Sequence, residues 1–147
     1  MLSMMKLVFA NNNDEPFIII NGKIVYCGQI QWIQSTTIED NICFLSPYDK
    51  EKMEKIIKIC QLDQDLKAFP NGIKTEAGDK GRNLSGGQKV RISLARAIYS
   101  DEDIFLIDDP FSSLDREVRD KLMKVCFCTY LKGKTLLIIT PFLDFIE

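Results

Sequence analysis

Leu84-Ser85-Gly86-Gly87-Gln88, followed after a run of helical composition by Ile104-Phe105-Leu106-Ile107-Asp108-Asp109-Pro110, decides how the rest of this chain is read. Ser85 and Gln88 have the spacing of a capping box, in which serine and glutamine satisfy each other's backbone N–H groups at a helix start. That spacing predicts a helix over Gly86–Tyr99. A cap alone leaves two adjacent glycines unexplained, since glycine costs about 1 kcal/mol against alanine inside a helix. Paired glycines at a helix start admit a close neighbour to the backbone, and the unsatisfied N–H groups and the helix dipole favour an anion there. A phosphate-facing surface is therefore the sharper reading of these residues. Residues 104–107 are all apolar, as in a parallel strand covered on both faces. They end in two carboxylates, at the end of the strand where open α/β sheets bind ligands. An aspartate so placed can hold magnesium through water. The plainer reading is a solvated strand end with Pro110 starting a turn. Ser112-Ser113-Leu114-Asp115 reads by itself as a helix cap.

Working outward, residues 116–126 form a helical pattern with Val118, Leu122 and Val125 on one stripe, and 135–140 read as a second buried strand. Upstream, residues 2–10 are apolar at helical spacing and 11–15 are a polar loop. Residues 17–20 and 24–26 read as strands about a tight Asn21-Gly22 turn. A short helix is expected over 36–43. Met53, Ile56, Ile57 and Cys60 make 50–61 an amphipathic helix. Pro70-Asn71-Gly72 punctuates a loop running to Arg82. Strands alternating with helices predict an α/β fold with a parallel sheet.

The 147 residues suit one domain, and 46% hydrophobic with 27% charged residues excludes a disordered chain. Nineteen basic and 21 acidic residues leave a formal charge of −2, so there is no basic footprint for nucleic acid. Histidine is absent, which excludes Ser-His-Asp and Cys-His catalysis and histidine-ligated zinc. Cys27, Cys43, Cys60, Cys126 and Cys128 are odd in number and lie in apolar runs, so they read as buried thiols of a reducing compartment. The apolar run at 135–146 is broken by Pro141 and Asp144 and falls short of the ~20 residues a membrane span requires. Phe111, Trp32 and the 53/56/57/60 stripe are expected to serve core or interface packing.

The ordered set of Leu84–Gln88, Asp108-Asp109 and Ser112–Asp115 resembles the nucleotide-binding domain of ABC transporters, and the resemblance covers essentially the whole chain. Leu84–Gln88 matches the signature, residues 104–108 the Walker B strand, and 112–115 the D-loop. Tyr26-Cys27-Gly28-Gln29 before Trp32-Ile33 looks like the Q-loop, with Gln29 as its glutamine. Residues 75–81 look like the exporter segment that touches the transmembrane coupling helices. The Trp32-Ile33-Gln34 and Asp-Asp-Pro details are most similar to the first such domain of the multidrug-resistance-associated subfamily, subfamily C. The resemblance implies a partial P-loop NTPase fold. It has a helical signature region at about 30–100 and the Walker B, D-loop and switch strand at 101–147.

No phosphate loop of the form G-x-x-x-x-G-K-[ST] occurs in the sequence. Gly133-Lys134-Thr135 copies only its end, lacks the first glycine and leads into a strand, so it reads as a turn. By resemblance, Met1 falls just after the loop's lysine, as in a domain truncated at or before that loop. Two other positions depart from the family. Asp109 stands where a glutamate acts as general base, and Pro141 where the switch histidine stands. Losing general-base catalysis costs about 10²–10⁴-fold, so the site resembles those that hold ATP and hydrolyse it poorly.

The resemblance further implies ATP and Mg²⁺ as cofactors. Ser85, Gly86, Gly87 and Gln88 would contact, in trans, a nucleotide held by a second nucleotide-binding domain in a head-to-tail dimer, with Asp115 at the dimer contact. Asp108 would hold magnesium, and Gln29 would sense the γ-phosphate beside it. The implied function is ATP-coupled export at the cytoplasmic face of a membrane, with transmembrane domains as partners. The competing expectation is an inactive fragment that docks on other nucleotide-binding domains. A chromosome-structure or repair ATPase is disfavoured, because no sustained heptads lie between Gln29 and Leu84. Apolar strands at 104–107 and 135–140 lacking neighbours predict aggregation or dependence on a partner.

Overall fold

A computed structural model describes residues 20–142. The expected helix at 2–10, the loop at 11–15 and all but the last residue of the strand at 17–20 lie outside the described residues. Among the described residues three parallel strands form the sheet, β1 (Ile24–Cys27), β2 (Ile104–Asp108) and β3 (Thr135–Ile139), in that spatial order. The register pairs Tyr26 with Leu106 and Leu106 with Leu137. β1 is fixed at its start by Asp103, whose carboxylate accepts from the Lys23 N–H at 3.0 Å. Gly22 there has φ +130°, and a β-carbon on it would meet Asp103 at 3.0 Å, so glycine is required.

Between β1 and β2 run four helices: α1 (Ile38–Cys43), α2 (Lys50–Ile59), α3 (Asp63–Ala68) and α4 (Gly86–Tyr99). Three of the four starts have a readable cause, α3 having no side-chain cap. Thr37 and Asp49 accept from the backbone N–H groups of Asp40 and Lys52, and Ser85 and Gln88 complete the expected capping box. α4 is the central pillar and buries Ile92, Leu94, Ala95, Ile98 and Tyr99. α2 presents Met53, Ile56 and Cys60 to the core as its spacing predicts. Asn41, fully buried on α1, bonds outward in every direction. Its amide donates to Gln34 O and Thr37 O at 3.0 Å, and its oxygen accepts from Gln34 N–H and from Arg96 Nη2 at 2.8 Å. A buried amide so satisfied fixes the approach of the 32–37 segment to α4.

After β2, α5 (Arg116–Leu122) starts at Asp115, which accepts from Val118 N–H at 2.9 Å. The α-helix expected over 116–126 ends early and continues as a π-helix, Met123–Tyr130. The wider turn rotates the stripe: Leu122, Cys126 and Phe127 are buried while Val125 faces outward. Three other expectations need correction. The loop leading to Arg82 contains two 3₁₀ turns, Gly72–Lys74 and Asp79–Gly81. Cys128 is exposed, unlike the other four cysteines. β3 is not covered on both faces by the described residues. Phe105 and Ile107 point into the core, but Leu137 and Ile139 are 58% and 61% exposed, on the face they share with Tyr26.

Candidate nucleotide-binding face

The first turn of α4 is built by its own sequence. Ser85 sits in extended conformation and its Oγ accepts from the Gln88 N–H at 3.2 Å, while Gln88 Oε1 accepts from the Ser85 N–H at 2.8 Å. This uses the N–H groups of Ser85 and Gln88. Those of Gly86 and Gly87 lie in the turn where no intrahelical carbonyl serves them, and Ser85 and Gly86 are exposed. The capping box and the anion-facing reading therefore coexist, since they use different donors. No negative side chain occurs in that first turn to compete with an anion.

The need for glycine is local. A β-carbon on Gly87 would stand 3.0 Å from the Ser113 carbonyl oxygen and 3.2 Å from Leu114 Cδ2, whereas one on Gly86 would meet only Ser113 Cβ at 3.5 Å. The glycine pair thus packs against the 112–115 turn of the same chain. Behind it lies a network that had no local sign in the sequence. Asp65 on α3 accepts from Gln88 Nε2 at 2.9 Å and from Arg91 Nη1 at 2.6 Å. Arg91 Nε donates to the Gly87 carbonyl at 3.2 Å. Arg91 follows Gly87 by one helical turn, a spacing the sequence does show. Asp65 lies far upstream in sequence.

The parallel topology carries the other candidates to one edge of the sheet. Gln29 follows β1, Asp108 ends β2, Asp109 follows it, and Pro141 lies just beyond β3. Gln29 is exposed, with its carbonyl accepting from Gln31 Nε2 at 3.3 Å. A small cleft beside it is lined by Gly28, Gln31, Asp108 and Pro110. Asp109 has a left-handed backbone, φ 45°, and donates its N–H to the Ile139 carbonyl at 2.8 Å. Its carboxylate accepts from Ser112 N–H at 3.3 Å and Ser112 Oγ at 2.5 Å, so it is turned into its own loop. Asp115 is engaged as the α5 cap. Gly133 has φ +95° in the turn before β3, and Lys134 pairs with Asp101 at 3.3 Å.

Among the described residues no three His, Cys, Asp or Glu side chains cluster as a metal cage. The half-buried Asp108 suits an ion that keeps most of its waters, as magnesium does. The buried thiols are poor nucleophiles, because burial pushes Cys27 up to about 11 and Cys126 up to about 12. Among the described residues no helix is long and apolar enough to cross a membrane.

A capped glycine-rich helix start thus packs beside the loop that leaves an acidic strand end of a parallel sheet, in an α/β arrangement. The sequence matches the family described as ABC transporter over residues 9–112. It is 43% identical over 129 residues to ABC transporter C family member 3 of Dictyostelium discoideum, covering 88% of this chain and 9% of that protein. It is 43% identical over 130 residues to human ATP-binding cassette sub-family C member 4, covering 88% and 10%. With ABC transporter C family member 9 of Arabidopsis thaliana it shares 46% identity over 127 residues, covering 86% and 8%. This chain belongs to the ABC transporter family and is of the subfamily C type. It spans about a tenth of the length of the curated relatives it matches.

Proposed function

We propose that this chain supplies the signature half of a composite ATP site, capping Mg·ATP held by the phosphate loop of a second nucleotide-binding domain, within an exporter of subfamily C. The observation that carries this reading is the first turn of α4. Ser85 and Gly86 are exposed, and the capping box leaves the Gly86 and Gly87 N–H groups directed out of the helix. Preorganised donors at a helix start are a ready anion site. Magnesium, when bound, neutralises phosphate charge, and Asp108 is the residue that would hold it in this chain's own half-site, with Gln29 at its rim. Asp115 stands in the turn that packs against the signature and would contribute to the dimer contact.

Asp109 contributes little to hydrolysis in this reading. Both of its carboxylate oxygens are engaged by Ser112, and a general base must reach the proton it removes. Docking on transmembrane partners is supported by an exposed aromatic pair, Trp32 and Phe44, in edge contact at 5.4 Å. Arg96 organises it by lying 4.9 Å over the Trp32 ring and donating to the Trp32 carbonyl. Large exposed apolar patches mark interaction sites.

The engaged Asp109 also favours a second reading, a non-hydrolytic chain that docks on other nucleotide-binding domains. One experiment tests the first. Sedimentation of the chain with a phosphate-loop-bearing subfamily C domain should show a complex with Mg·ATP and none without nucleotide. Equal association in both conditions supports the second reading, and no association in either overturns both.

A further inference from the structure

We infer that Asp65 is a positioning residue for the signature turn; this rests on the reading of Ser85–Gln88 as the phosphate-facing surface. The Gln88 side chain bonds at both of its polar atoms inside its own chain. Its oxygen takes the Ser85 N–H and its nitrogen gives to Asp65 Oδ1. Asp65 also grips the Arg91 guanidinium in two places, at 2.6 Å and 3.2 Å. Arg91 in turn donates to the carbonyls of Gly87 and Gln61. One carboxylate thus fastens two consecutive signature residues from behind, Gln88 by its side chain and Gly87 by its backbone. Gln88 thereby holds the turn in shape.

Two observations show that Asp65 does more than pack. α3 has no side-chain cap and no fully buried residue, and only half-buried Leu66 packs it against the core, so its bonds to α4 run through Asp65. The Asp65 and Arg91 side chains are only 14% and 12% exposed, so the pair holds its geometry with little competition from water. The pairing also serves electrostatics. A bare carboxylate behind the start of α4 would oppose an incoming phosphate, and the guanidinium cancels it.

The test uses the whole 147-residue chain, with residue-resolved amide exchange in the absence of nucleotide. Asp65→Ala removes both grips, and the Ser85 and Gln88 backbone amides should exchange at least tenfold faster while β2 amides stay slow. Asp65→Asn loses the ionic pair but keeps an oxygen for Gln88, so those two amides should stay near the wild-type rate even if melting falls equally in both variants. Nucleotide-dependent assembly with the Mg·ATP-loaded domain should follow the amides and not the melting temperature, dropping about tenfold only in Asp65→Ala. Unchanged exchange in Asp65→Ala, or equal loss of assembly in both variants, overturns the proposal. If Asp65→Ala does not fold, the wild-type chain decides. The Gln88 side-chain amide should exchange about tenfold slower than that of the exposed Gln64, and equal rates overturn the proposal. A wild-type chain that never assembles refutes the composite-site reading, while the amide rates still judge Asp65.

Discussion

Adjacent glycines in one turn should respond in opposite ways to the same methyl group. Alanine at Gly86 meets Ser113 Cβ at 3.5 Å, an ordinary contact, while alanine at Gly87 meets the Ser113 carbonyl oxygen at 3.0 Å. The obstacle at Gly87 is backbone, and its loop is pinned by the Asp109–Ser112 bonds on one side and the Asp115 cap on the other. Relief therefore requires moving the loop. Helix propensity gains up to about 1 kcal/mol from either substitution. Overpacking against a held neighbour costs about 1–3 kcal/mol, leaving Gly87→Ala a net loss of up to roughly 2 kcal/mol. Gly86→Ala should be neutral or gain up to about 1 kcal/mol. A gap of about 2 kcal/mol separates urea midpoints by roughly 1 M at ordinary m-values. Equilibrium urea unfolding of the two variants reads this directly. Both should weaken nucleotide-dependent assembly, since each alters the turn proposed to face the phosphate, so Gly86→Ala separates function from folding. Gly87→Ala unfolding at the same or a higher urea concentration than Gly86→Ala would refute the packing argument.

Three further outcomes follow from named contacts. Asn41→Ala strips bonds from half-buried partners that include Gln34 and Arg96, each orphaned group costing about 1–3 kcal/mol. Loss of cooperative urea unfolding is expected, and a loss under 1 kcal/mol would contradict the network. The Cys27 and Cys126 thiols titrate higher folded than unfolded, so their stabilisation is complete below about pH 9 and is lost as pH rises toward 11–12. Stability should fall by on the order of 2 kcal/mol between pH 9 and pH 10, and chemical denaturation giving a flat profile there would count against burial of the thiols. Leu137→Lys lies on the open sheet face, so it should change stability by less than about 0.5 kcal/mol while reducing self-association in sedimentation velocity. A large loss of stability would mean that this face is covered.

What the sequence made legible was local. The Ser85/Gln88 spacing, the apolar run of β2 and the stripe of α2 each fix one element without help from the rest of the chain. The readings that failed depended on distant partners or on a change of period. α3 has no apolar stripe or cap, and Asp65 gains its meaning only when α4 brings Arg91 and Gln88 to it. Val125 kept helical phase in the sequence, but the π-helical turn moved it outward. The run at 135–140 is apolar on both sides, yet only one side meets the described core, since composition cannot say what covers a face. For the candidate site, residue types were readable from the motifs. The engagement of Asp109 by Ser112 and of Gln88 by Asp65 was not, because hydrogen-bond partners are set by packing.

Calorimetric titration of Mg·ATP into the isolated 147-residue chain, and then into its mixture with a phosphate-loop-bearing subfamily C domain, tests the central claim most directly. The account predicts no micromolar binding to the chain alone and tighter nucleotide binding by the mixture than by the partner domain alone. Micromolar affinity of the solitary, monomeric chain, or no gain on mixing, would contradict it.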